Sequence, residues 1–217
     1  MTHILPATST KAMKLARRLL REGDVVAFPT DTVYGLGAIA FERYAVRHIY
    51  QLKQRPPSKG IPVFITQIDD LNLIARDVPN QAWALLRDFW PGALTVVLPK
   101  VKALPDDVTS GLDTVAVRIP DHPISLELVL AAGRPLAVTS ANISGQPTPP
   151  TAQGVAEQLG PDLPLVLDGG PSPSILPSTI IDLSRHPPRL LRPGPLKLAD
   201  LKKYLPALTG LDDKSEV

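Results

Sequence analysis

Cysteine is absent from the 217 residues, which excludes disulfides, thiolate nucleophiles, thiolate zinc sites and iron–sulfur clusters together. That absence is compatible with a reducing compartment, and a cytoplasmic location is expected. No stretch approaches the roughly 20 apolar residues of a membrane-spanning helix, so no membrane partner is expected, and the N-terminus lacks the apolar core of a secretory signal. Lys11 to Arg21 is basic and acid-free in the manner of a transit peptide, but it runs straight into Glu22-Gly23 and an apolar segment. The patterns G-x-x-x-x-G-K-[ST], H-E-x-x-H and G-x-S-x-G are missing, and His3, His48, His122 and His186 show no metal spacing. The usual phosphate-loop, zinc-protease and esterase devices are thereby set aside. A net charge of +2 gives no global argument for nucleic acid.

What is there is an ordinary globular composition, 44% hydrophobic and 20% charged, in a chain long enough to bury roughly 70% of its unfolded surface. One domain over residues 1–205 with a polar C-terminal tail, 206–217, is expected. Charge is unevenly distributed: residues 1–60 hold 10 Lys or Arg against 4 Asp or Glu, whereas residues 61–217 hold 13 against 17. An anionic ligand therefore belongs with the N-terminal part. Proline is abundant, 25 in all with 12 between Gln146 and Pro195, which predicts short elements there.

Apolar periodicity predicts helices over about 10–22, 41–52, 67–75, 80–89, 124–132, 151–159 and 198–205. Strands are predicted at 25–28, 61–65, 94–98, 114–119, 136–139, 163–167, 178–183 and 189–191. Strands and helices alternate without a strict β-α-β rhythm, so the fold class expected is an α/β sheet of mixed direction covered by helices.

Polar groups gather where predicted strands end. Gly35-Leu36-Gly37 lacks the third glycine of a dinucleotide fingerprint and reads as a tight turn. The segment from Pro29 to Gly37 sets two hydroxyls, a carboxylate and a phenol beside glycines, as a pocket lip or as a turn satisfying its own backbone. In Lys53-Gln54-Arg55-Pro56-Pro57-Ser58-Lys59-Gly60, Pro56 biases Arg55 towards extended backbone, and extended backbone points Lys53 and Arg55 the same way. Both cations then converge on one polyanion, with Lys59 as a third charge; the alternative is a solvated charge run. Arg118 closes an apolar strand and needs an anion, either an internal Asp or a ligand carboxylate. Thr139-Ser140-Ala141-Asn142, Ser178-Thr179 and Arg192-Pro193-Gly194 repeat the theme of polar groups at strand ends.

Taken together, PTDTVYGLGA (29–38), KQRPPSKG (53–60), PGALTVVLP (91–99), TVAVRIPDHP (114–123), TSANISG (139–145), STIIDL (178–183) and LLRPG (190–194) resemble the YrdC and TsaC family of threonylcarbamoyl-adenylate synthases. The resemblance is collinear from about residue 10 to residue 205 and matches the short, single-domain form. It implies a YrdC-like twisted mixed sheet curving round a basic concave site. It also implies a nucleotidyl transfer in which L-threonine, bicarbonate or CO2, and ATP give threonylcarbamoyl-AMP and pyrophosphate. The product would feed the N6-threonylcarbamoyl modification of adenosine 37 in tRNA through a separate transferase complex.

Carried over residue by residue, Lys53 and Arg55 are the catalytic pair, and Lys53, Arg55, Lys59, Thr114, Ser140, Asn142 and Arg192 bind ATP. Thr32, Arg118 and Ser178 bind threonine, with Arg118 on its carboxylate. Mg2+ is expected on the ATP phosphates, with no side-chain metal ligand identified and no general base. Weak tRNA or double-stranded RNA binding is a further expectation, and the alternative function is an RNA-binding paralogue without synthase activity. Longer family members often carry histidine where this chain has Phe64. The stretch 146–177 beside Ser140 and Asn142 is a candidate lid.

Overall fold

Local signals in the chain set most of the elements in the structure, a computed structural model that describes residues 2–173 and 176–211. In order these are β1 (His3–Pro6), α1 (Thr10–Arg21), β2 (Val26–Phe28), β3 (Gly35–Ile39), α2 (Arg43–Leu52), β4 (Val63–Phe64), α3 (Leu71–Ile74) and α4 (Ala82–Phe89). They continue with β5 (Leu94–Pro99), α5 (Asp106–Thr109), β6 (Thr114–Arg118), α6 (Pro123–Ala132), β7 (Leu136–Ser140), α7 (Ala152–Leu159), β8 (Leu165–Asp168), β9 (Thr179–Asp182), β10 (Arg189–Arg192) and α8 (Leu198–Lys202). Helix α1 starts where the Ser9 side chain accepts from the Ala12 amide, and it stops before Gly23, whose φ of +84° suits glycine. Pro123 opens α6 and Gly133 ends it in the left-handed region. No helix among the described residues is long and apolar enough to cross a membrane.

Ten strands form one mixed sheet among the described residues, in the order β1-β8-β2-β3-β7-β4-β6-β5-β9-β10. Pairs β1/β8, β2/β8, β4/β6 and β5/β9 are parallel, while β2/β3, β3/β7, β4/β7, β5/β6 and β9/β10 are antiparallel. The α/β class with mixed strand direction is thus as expected.

Strand alternation divides the core in two. Ala27, Leu36, Val63, Val96, Val117, Ala137 and Ile181 face the larger cluster, where α2, α4 and α7 pack with Ile49, Leu85 and Val155. Phe28, Ile39, Phe64, Leu136, Val138 and Leu167 face the other way, against Ala12, Ala16 and Leu20 of α1 and Leu128 and Val129 of α6. On that second face the polar positions of β5, β6 and β9, among them Thr95, Thr114, Arg118 and Asp182, line a cavity instead of meeting a helix.

Several expectations change. Gly35-Leu36-Gly37 is not a tight turn but the heart of β3, between β2 and β7. A Cβ on Gly37 would lie 2.9 Å from the Phe28 ring, and one on Gly35 2.9 Å from Val138. The glycines serve close packing of neighbouring strands. Strand β1 and helix α5 were not anticipated. The stretch 146–177, the candidate lid, contains α7 and β8 with Val155, Leu165 and Val166 fully buried, so much of it belongs to the packed core; residues 174–175 lie outside the described residues. The chain stays packed beyond residue 205, with Leu208 buried and Thr209 bonded to Pro188 and Leu190, while 212–217 of the expected tail lie outside the described residues.

Candidate active site

The cavity, of about 700 Å3, opens over β6, β5 and β9 and is walled by Arg55, Arg118 and Arg192 together with Thr32, Ser140 and Ser178. Arg118 ends β6, level with Phe64 on β4, and is only 3% exposed. Its Nη2 pairs with Asp31 Oδ2 at 2.6 Å, its Nη1 donates to Thr32 Oγ1 at 3.2 Å and its Nε to the Gly92 carbonyl at 2.8 Å. The Phe64 ring lies under the guanidinium, 5.6 Å from centroid to Cζ. Burial lowers the Arg118 pKa while the Asp31 carboxylate raises it. The internal Asp is therefore realised as the partner, and the same guanidinium still forms part of the cavity wall.

Thr30 and Thr32 satisfy their own loop, with Thr30 Oγ1 donating to the Val33 carbonyl at 2.7 Å and sharing a 3.1 Å bond with Thr32. Turn and pocket lip are thus one feature. Across the cavity Ser178 Oγ meets Thr95 Oγ1 at 2.7 Å, and Arg192 donates to the Ser178 carbonyl through Nε and Nη2, at 3.0 and 2.8 Å. Burial, then the charges of Arg118 and Arg55, push the Arg192 guanidinium down to about 10. Three guanidiniums thus line one cavity, and Asp31 pairs with that of Arg118.

The basic segment departs from the geometry expected of it. Gln54 has φ +49°, so Lys53 and Arg55 are not in extended chain and do not point the same way. Lys53 is 1% exposed and its ammonium donates to the carbonyls of Ser140 and Asn142 and, at 3.3 Å, to Asn142 Oδ1. Burial and the nearby Arg55 push its pKa down to about 7. Arg55 reaches the cavity while gathering in its own loop, Nε to the Lys59 carbonyl at 3.0 Å and Nη2 to the Gly60 carbonyl at 2.7 Å. Lys59 is exposed and stands outside the cavity wall. Asn142 also turns inward, donating to the Ile143 and Gln146 carbonyls at 2.8 and 2.7 Å.

Of the ten expected site residues, the structure brings Thr32, Arg55, Thr114, Arg118, Ser140, Ser178 and Arg192 into one cavity, and sets Lys53, Lys59 and Asn142 behind or beside it. Sequence reasoning missed Asp31 as the counter-ion of Arg118 and Thr95 as the support of Ser178. The Thr95 signal was readable as a lone hydroxyl in the apolar run Leu94 to Leu98. Tyr34, read as a lip residue, does line the cavity, and its hydroxyl donates to the Gly170 carbonyl at 2.6 Å and accepts from the Gly169 amide, tying the lip to the end of β8.

Guanidiniums and hydroxyls gathered at strand ends offer hydrogen-bond donors of the kind that suit anionic oxygens. Comparison with known proteins narrows the class. Residues 18–194 match the Sua5/YciO/YrdC family model, described as telomere recombination, and the chain belongs to that family. The threonylcarbamoyl-AMP synthase of Pyrococcus abyssi is 45% identical over 193 residues, 89% of this chain and 57% of the relative. A putative threonylcarbamoyl-AMP synthase of Mycobacterium tuberculosis is 38% identical over 200 residues, 92% of each. The crystal structure of P. abyssi Sua5 complexed with L-threonine superposes with a TM-score of 0.93 at 42% identity, over 96% of this chain and 62% of that one. The chain thus spans about three fifths of the longer relatives and nearly all of the shorter.

Proposed function

We propose that this protein is an L-threonylcarbamoyladenylate synthase, a nucleotidyltransferase that joins L-threonine, bicarbonate or CO2, and ATP. The observation that carries the reading is the convergence of Arg55, Arg118 and Arg192 with the hydroxyls of Thr32 and Ser178 in one cavity. The threonine amine adds to CO2 with loss of a proton, forming a carbamate. A carbamate oxygen then attacks the α-phosphorus of ATP, the bond to the β-phosphate oxygen breaks, and pyrophosphate leaves. Negative charge builds on the phosphoryl oxygens and leaving group, so what such a site needs is positioning and neutralisation more than a side-chain nucleophile.

In this reading Arg118 receives the threonine carboxylate, with Thr32 and Ser178 beside it. Arg55 and Arg192 neutralise the nucleotide phosphates, with Thr114 and Ser140 in the same site. Mg2+ enters on those phosphates as part of the nucleotide substrate, since Asp113 and Asp182 line the cavity but no group of three or more potential metal ligands comes together among the described residues. Lys53 and Asn142, as placed here, support the site by shaping the loop after β7, and Lys59 remains an outer phosphate contact. The product passes to a tRNA-modifying transferase complex in the cytoplasm. An RNA-binding paralogue without synthase activity is less well supported, because the curated relatives bear the synthase name.

The test is pyrophosphate release by purified protein with ATP, Mg2+ and bicarbonate, with L-threonine, with L-serine, or with neither. Threonine-dependent release is expected. No release from folded protein that still binds ATP would refute the synthase reading.

A further inference from the structure

One hydroxyl in the cavity wall has no role in the folded chain. Thr109 ends α5, is 3% exposed, and its Oγ1 is buried with no hydrogen-bond partner among the described residues. Yet Thr109 is one of the residues that line the cavity. A buried hydroxyl nearly always finds a partner, and leaving one unserved is destabilising. The other buried side-chain hydroxyls along this cavity are engaged: Thr30 on Val33, Thr32 with Thr30 and Arg118, Thr95 with Ser178.

The neighbourhood of Thr109 indicates what it lacks. Gly60 lies flush against it, so that a Cβ on Gly60 would come within 3.5 Å of Thr109 Cα and 3.3 Å of the Val108 carbonyl. The chain is further fixed there by the Ile61 amide on the Val108 carbonyl at 2.7 Å. The same stretch is where Arg55 turns back on Lys59 and Gly60, and its guanidinium is the cation of this wall, which also carries the carboxylate of Asp113. Tyr50 and Ser110 bond to one another at 3.3 Å, and neither bonds to Thr109 Oγ1.

From the unserved hydroxyl and the cation beside it, we propose that Thr109 is a nucleotide-binding residue whose Oγ1 donates to an oxygen of the phosphate chain held by Arg55. This rests on the reading of the cavity as an ATP site and adds to it a contact from α5, an element the sequence did not reveal. The backbone is held before the ligand arrives, by α5 and the 55–60 loop, and because Oγ1 is itself buried the contact requires the Thr109 side chain to turn about its Cα–Cβ bond into the cavity.

The isosteric variant Thr109→Val tests this, because it separates the two roles by sign. A hydroxyl without a protein partner can be replaced by a methyl with no loss of stability, so the ligand-free melting temperature is expected to stay level or rise. Affinities for ATP and for free pyrophosphate, measured by calorimetry, are expected to fall about tenfold or more, the worth of a hydrogen bond to a charged group. Adenosine, which has no phosphate, should bind as it does to the wild type. Thr109→Ser, which restores the donor, should recover ATP affinity.

Unchanged ATP and pyrophosphate affinities would overturn the proposal, as would an equal loss for adenosine. A melting temperature lowered by several degrees would show the hydroxyl to be structural and overturn it as well. The binding measurements stand apart from catalysis, so a wild-type protein that binds ATP but releases no pyrophosphate would refute the synthase reading and leave the Thr109 assignment to its own result.

Discussion

Removing the carboxylate that neutralises Arg118 should make the protein less stable and at the same time more responsive to threonine. In Asp31→Asn the 2.6 Å pair loses its charge, while the guanidinium, with its side chain 4% exposed, keeps the Gly92 carbonyl, Thr32 and the Phe64 face. Stranding one partner of a buried pair costs about 3–5 kcal/mol. The three remaining contacts and the amide oxygen of Asn reduce this to about 2–3 kcal/mol. For a chain of this length 1 kcal/mol moves the melting temperature by about 2–4 °C, so a fall of about 5–10 °C is expected. Because the bound substrate carboxylate then supplies the missing charge, L-threonine should raise the melting temperature of the variant by more than that of the wild type. L-Threoninol, which has no carboxylate, should not. Differential scanning fluorimetry reads both proteins without ligand, with L-threonine and with L-threoninol. A variant that melts within about 2 °C of the wild type, or that gains no more from threonine than the wild type does, would show that Asp31 is not the counter-ion this reasoning requires.

Lys53 supplies a pH test. Its folded pKa of about 7 lies below the ordinary 10.5, so between those values the unfolded chain binds a proton that the folded chain does not, and stability rises with pH by about 1.4 kcal/mol per unit. Lys53→Met abolishes that slope, and the wild type's advantage in melting temperature should widen from pH 7 to pH 9; parallel curves would refute the assignment. Gly37→Ala places a Cβ 2.9 Å from the Phe28 ring, an overpacking expected to cost about 1–3 kcal/mol. An unaltered melting curve would show that β2 and β3 separate more easily than their packing implies.

Elements with strong local signals were legible in advance. Helix α1 has its Ser9 cap, its apolar stripe and its glycine stop, and β5 and β6 have long β-branched runs. Element β3 was not legible, because its glycines carry a turn signal of their own and are explained only by Phe28 and Val138, residues distant in sequence that close on them in the sheet. The same limit applies to the site. Arg118, Ser178 and Arg192 stood out as polar groups ending apolar strands. The direction of Lys53 did not, since it depends on a single left-handed residue, Gln54, that no propensity marks. Thr109 was invisible because its significance lies in a missing hydrogen bond, which a sequence does not display.

The cavity owes its position to unequal covering of one sheet face. Helices α1 and α6 lie on the half of that face formed by β8, β2, β3 and β7, where inward positions hold Leu167, Phe28, Ile39 and Val138. Over β6, β5 and β9 the equivalent positions mix Ala116, Val97 and Ile180 with Thr114, Arg118, Thr95 and Asp182, polar side chains that an apolar helix face would desolvate at a cost. The polar residues and the missing helix therefore require each other: apolar replacements at those positions would present a bare hydrophobic surface, and a covering helix would strand the guanidinium of Arg118. A single sheet thus combines a rigid floor, held by the larger core behind it, with a face left open to ligand. Charge is positioned there by backbone and hydroxyl contacts already made in the free protein, and under the proposed synthase reading that is the condition for stabilising a phosphoryl transition state without reorganisation.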